Sequence, residues 1–114
     1  KTDMSAKYWQ RGETIDYTAT DDLANGDVVN LATRIGVAGD DIAAGETGAV
    51  HVVGVFEMPK ATGQTVTVGQ ALYWNAVAEN ITTAAGSSPA NTPAGWAVAA
   101  AGSSDATVLV KLLG

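Results

Sequence analysis

The sequence runs to 114 residues, with hydrophobic residues at 46%, thirteen glycines and no cysteine. That length supports one domain with a core, and the missing thiols exclude a disulfide framework or a thiolate metal site. Six Lys and Arg against twelve Asp and Glu give a formal charge of −6. The cations are scattered (Lys1, Lys7, Arg11, Arg34, Lys60, Lys111), which argues against nucleic acid as a partner because phosphate contacts need clustered basic residues.

Lys1–Ser5 is polar and expected to be a flexible N-terminal segment, leaving residues 6–114 as a single β domain. Tyr8-Trp9, Gly12 and Thr14–Tyr17 predict strand, turn, strand. Asn25-Gly26 is a strong turn dipeptide, because both residues tolerate positive φ, and it feeds a strand from Val28 to near Leu31. Ile35–Ala38 predicts a short strand and Gly39-Asp40-Asp41 a turn. Ala49–Met58 is rich in Val with one Phe, and such side chains fit a pleated surface. In period two, Val50, Val52, Gly54, Phe56 and Met58 share one face, while His51, Val53, Val55 and Glu57 share the other. Both faces are largely apolar, which predicts a central strand covered on both sides, marked by a bulge, bend or close approach at Gly54 and ended by Pro59.

Beyond Pro59, Thr65–Val68 alternates, Ala71–Trp74 and Ile81–Thr83 predict strands, and Asn75–Asn80 predicts a turn. Residues 84–93 are rich in Ala, Ser and Pro and predict a flexible loop. Ala94–Ala100 and Ala106–Leu113 predict the last two strands. One pattern recurs at Leu23–Asp27, Ile42–Glu46 and Val66–Gln70: an apolar residue, two residues, Gly, then a polar residue. It reads as a tight turn entered by a buried anchor. No stretch has convincing helical periodicity, and no apolar run approaches the roughly 20 residues of a membrane span. A soluble protein without a membrane partner or a signal-peptide core is expected.

Few residues suggest chemistry. His51 is the single histidine, and it has no nucleophile elbow or orienting acid beside it in sequence. Asp21-Asp22 and Asp40-Asp41 lack the alternating spacing of a calcium loop and lie where Asp caps turn amides. Neither Glu13 with Asp16 nor Glu57 with Glu79 is brought together by any local pattern as a glycosidase pair would be. No phosphate-binding GxxxxGK[ST] occurs. Trp96 and one member of each pair, Tyr8-Trp9 and Tyr73-Trp74, are expected in the core. The other member faces the opposite side, where an interface or sugar platform could lie.

Taken together, Ala6–Thr18 (AKYWQRGETIDYT), Asn25–Val29, Gly36–Ala38, Asp41–Gly48, Gly54–Ala61, Gly69–Trp74, Gly95–Val98 and Val108–Leu112 resemble, in order, the capsid cement or decoration proteins of tailed phages and prophages. The similarity covers residues 6–113. Each motif is a turn plus a strand, and the ordered set is what is specific. Members are sometimes labelled recombinases; the absent phosphate loop and the acidic charge speak against that label. The resemblance implies a structural protein on the outer capsid surface, with no catalytic residue, metal or cofactor to transfer. It implies the major capsid protein as partner, a homo-oligomer (trimer ahead of dimer) and a place on the virion exterior, after assembly in the host cytoplasm.

The expected fold is all-β, a small β-barrel or β-sandwich of about eight short strands. Tyr8, Trp9, Gln10 and Trp74 are the candidate capsid or subunit interface residues. A carbohydrate- or receptor-binding virion module is the alternative function; Trp9 or Trp74 exposed, flat and flanked by Asp or Asn would favour it.

Overall fold

The computed structural model describes residues 5–87 and 90–113. Four strands, β1 (Thr14–Thr18), β2 (Val28–Asn30), β3 (Ile35–Ala38) and β4 (Thr47–His51), form an antiparallel sheet in the order β1-β4-β3-β2. Five more, β5 (Val55–Pro59), β6 (Ala71–Asn75), β7 (Asn80–Thr82), β8 (Thr92–Ala97) and β9 (Thr107–Leu112), form a second in the order β5-β9-β8-β6-β7. The all-β expectation holds, with nine strands among the described residues instead of about eight. The second sheet curls until its two edges touch: Lys60 bridges Ile81 in parallel, and Ala61 N–H donates to Ile81 O at 2.8 Å. One bridge joins those edges rather than a full strand pair, and the first sheet stays open.

The long apolar run 49–58 is not one strand. It breaks after His51, and β4 and β5 belong to different sheets. Gly54 lies in the break with φ of 130°, a backbone region that L side chains rarely enter. The chain therefore changes sheets at the expected glycine. β5 becomes an edge strand, which explains how Pro59 can end it without leaving a ladder partner unsatisfied. Inward parity survives the break: Val50, Val52 and Met58 are all buried, whereas Val53 and Val55 are exposed.

The strand covered on both faces is β3, all four of whose residues are buried. Ile35 and Val37 join the larger core, with Met58, Leu72, Trp74, Ile81, Val108, Val110 and Leu112. Ala38 joins the smaller core, with Val29, Ile42, Val50 and Val52. A short strand without a charged side chain thus serves both sheets. Between β8 and β9 the backbones approach so closely at Gly95 that an added methyl would overlap the Lys111 carbonyl oxygen. The β6–β8 register shifts between Leu72 and Tyr73, beside that glycine.

The three repeated turns form as the pattern predicts. Gly26, Gly45 and Gly69 have φ of 93°, 85° and 86°, and Asp27, Glu46 and Gln70 close the turns by donating N–H to Ala24, Ala43 and Thr67 carbonyls at 2.9, 2.9 and 3.2 Å. Positive φ at the third position is what a type II turn requires.

Several boundaries move. Residues 5–13 form no strand, so the expected hairpin partner of β1 is missing and β1 pairs with β4 instead. Thr65–Val68 contributes only a bridge, Val66 to Ala101. β8 begins at Thr92, inside the expected 84–93 loop. Across that loop, Asn91 N–H donates to Ala85 O at 2.7 Å and the Asn91 side-chain Nδ2 to Ala84 O at 2.8 Å. The expected looseness of Lys1–Ser5 falls, except for Ser5, outside the described residues, as do residues 88 and 89 of the loop.

Candidate interaction surfaces

The N-terminal arm, Ser5–Arg11, is exposed throughout. Tyr8 and Trp9 are 80% and 85% exposed, so neither ring plugs the core, as one of them was expected to do. Gln10 Nε2 donates to Thr14 O at 3.2 Å, and Arg11 pairs with Glu13 at 3.1 Å. Both contacts lie at the arm's root and leave the two rings outward. Burying such rings favours association, since aromatic side chains carry large contact areas with few rotors.

Trp74 does not share that surface. Expected at an interface, it is the core member of its pair at 8% exposed, because β6 turns Leu72 and Trp74 inward. What remains accessible of it lines a cleft of about 470 Å³ beside β2. Leu23, Val28, Pro59 and Ala76 supply apolar walls there, and Asp27 and Glu79 supply carboxylates. Glu79 closes the β6–β7 turn with φ of 57°, an uncommon state for a residue other than Gly, Asn or Asp.

The expectation that Trp96 is buried is overturned. It is 40% exposed on the outer face of the second sheet. The inner face of β8 is filled instead by Ala94 and Ala97, both fully buried. The register sets Val55 opposite Lys111, Lys111 opposite Trp96, and Trp96 opposite Ala71, one row across four strands. Leu109 lies two residues along β9 on the same face and is also exposed. The alternating face of 49–58 was the available signal: Val53 and Val55 are apolar at outward positions.

Reactive groups do not converge in the same way. His51 is half-buried, with its ring tilted against Phe56 at 5.9 Å between centroids. It shares a cleft of about 260 Å³ with Glu57, and no hydroxyl, amine or thiol side chain lines that cleft. Thr107 Oγ1 donates to the Glu57 carboxylate at 3.3 Å. The acidic pairs serve turns: Asp22 Oδ1 accepts from Ala44 N–H at 2.8 Å and Asp41 Oδ1 from Asn25 N–H at 2.9 Å. Among the described residues no group of three His, Asp or Glu side chains could hold a metal ion. No helix among them is long and apolar enough to cross a membrane.

Neither tryptophan makes a sugar platform of the expected kind. Trp9 is exposed, but Tyr8 and Gln10 flank it; Trp74 has Asn75 beside it, but is buried. Among the described residues the arm and the outer face of the second sheet both present exposed aromatic and aliphatic side chains.

No curated protein and no solved structure matched the chain. A family profile did, described as phage cement protein, over residues 9–112, from the arm's Trp9 through the whole of β9. The chain belongs to the phage cement protein family.

Proposed function

We propose that this protein is a non-enzymatic decoration protein that binds the outer surface of an assembled phage capsid and stabilises it. The family match over nearly the whole chain carries the proposal. The surfaces support it: two apolar, solvent-facing patches on a rigid β body, and a cleft at His51 without a nucleophile. The partner is the major capsid protein, met on the virion exterior after assembly in the host cytoplasm.

The mechanism is linkage. A subunit that touches neighbouring capsomers at once binds the closed lattice more tightly than any loose capsid subunit, so binding shifts the lattice away from disassembly. The row Val55, Lys111, Trp96 with Leu109 is the capsid-facing patch: its exposed apolar side chains, the Trp96 ring above all, suit an interface core, and Lys111 is the one cation in the row. The arm, with Tyr8, Trp9 and Gln10, drapes over a neighbouring subunit and orders on contact. The decoration unit is a homo-oligomer, a trimer before a dimer.

The test is co-sedimentation of purified protein with undecorated capsids, and separately with unassembled capsid protein. Saturable binding to the lattice and weak binding to the free subunit is the expected pattern. Equal binding to both, or to neither, overturns the proposal.

A further inference from the structure

The arm and the cleft beside β2 are complementary in chemistry. Within Ser5–Arg11 there are two cations, Lys7 and Arg11, two aromatic rings and no acidic residue. Residues 12–114 hold eleven acidic side chains against three cations, Arg34, Lys60 and Lys111. The arm is thus a short basic, aromatic strip attached to an acidic body. The cleft offers the reverse: apolar walls at Leu23, Val28 and Pro59, with Trp74, Glu79 and Asp27 also in its lining, Asp27 Oδ2 accepting from Ala24 N–H at 2.8 Å. Its volume, about 470 Å³, lies within the range of about 300–1,000 Å³ common for small-ligand sites. Glu79 keeps a carboxylate at a positive-φ position where Gly would be less strained.

Arm and cleft also lie at opposite edges of one sheet. Thr14, where the arm joins β1, is in register with His51, His51 with Val37, and Val37 with Val28 of the cleft. Three strand spacings, about 14 Å, separate the two. A donor on one edge and an acceptor on the other make a head-to-tail contact, which closes into a ring when the rotation between copies permits and otherwise runs on as a filament.

Resting on the oligomeric decoration role proposed above, we propose that the arm of one copy seats in the β2 cleft of a second copy. One aromatic ring of the arm enters between Leu23, Val28 and Pro59, and Lys7 meets Glu79. The 114-residue sequence has no cysteine, which makes the test clean.

Two measurements decide it. In sedimentation analysis, Lys7→Glu and Glu79→Lys each weaken self-association about tenfold or more, and the two together in one chain restore most of it, because the pair is reversed rather than removed. Next, Gln10→Cys and Ala76→Cys are placed on separate chains and mixed under mild oxidation. A disulfide-linked heterodimer forms if the arm binds in trans. A chain that stays monomeric at tens of micromolar, single variants that assemble like the parent, or a cross-link found only within a doubly substituted chain overturns the proposal. Capsid co-sedimentation of the same variants separates the two ideas. Variants that assemble normally but no longer coat capsids mean that the arm grips the capsid protein instead. Assembly that follows the charge swap in a protein that coats no capsid leaves the arm contact standing and removes the decoration role.

Discussion

Leu23 and Ile42 exchange both backbone hydrogen bonds, N to O at 2.8 Å in each direction, although neither belongs to a strand. Each opens one of the glycine turns, and each is preceded by an Asp that caps the other's turn: Asp22 reaches Ala44 N–H and Asp41 reaches Asn25 N–H. Residue for residue, Asp22–Asp27 and Asp41–Glu46 are two copies of one device locked together. The third copy, Val66–Gln70, bridges Ala101 instead.

The reciprocal caps predict paired effects. Asp22→Ala and Asp41→Ala each remove one carboxylate acceptor from a turn amide and should each cost roughly 1 kcal/mol in urea unfolding. Asp21→Ala and Asp40→Ala, one residue earlier, should be close to neutral. Equal losses at all four positions would mean that general charge, not capping, is being measured.

Each turn also grips an alanine. Gly26 donates to Ala38 O while Ala38 donates to Asp27 O; Gly45 and Glu46 hold Ala19, and Gly69 and Gln70 hold Ala97, in the same two-bond way at 2.7–3.0 Å. All three alanines are buried, so there is no room to grow. Ala97→Leu should destabilise by about 1–3 kcal/mol through overpacking, and the exposed Ala100→Leu by under about 0.5 kcal/mol. Chemical denaturation of the two variants checks this.

These turns were legible because their signal is local: a glycine needing positive φ and a polar residue after it. The gripped alanines were not, since nothing in Ala19, Ala38 or Ala97 marks a partner that far away in sequence. The break in 49–58 was hidden for a different reason. Inward parity runs on from Val52 to Met58 through Gly54, so alternation looks unbroken while the chain crosses between sheets. Trp96 misled by size. A large ring suggested core, but the inner positions of β8 are filled by Ala94 and Ala97, and the ring lies outside. Of the site, the arm aromatics could be picked out as candidates; the cleft that Trp74 lines, and the row that contains Trp96, depend on strand order and could not.

Lys60 is a cation folded into the body. It is 5% exposed, and its Nζ donates to Ala61 O at 2.9 Å and more weakly to Asp105 O at 3.4 Å. Lys60→Met keeps the aliphatic stem and loses those bonds, which should cost about 1 kcal/mol. Lys60→Ala loses the stem as well and should cost about 2–3 kcal/mol. Thermal and urea unfolding of the pair separates packing from hydrogen bonding at the point where the edges of the second sheet meet.

Trp96→Asp places a charge in the middle of the outer row without touching the core. The variant should unfold within about 0.5 kcal/mol of the parent and bind capsids at least about tenfold more weakly. Undiminished capsid binding would move the contact elsewhere on the molecule.

The most direct check on the decoration role is the temperature at which capsids come apart. Undecorated capsids heated in a calorimeter with saturating protein should disrupt at a higher temperature than capsids alone, with the increment growing with free protein concentration. An unchanged disruption temperature in the presence of bound protein would show that it coats the shell without cementing it.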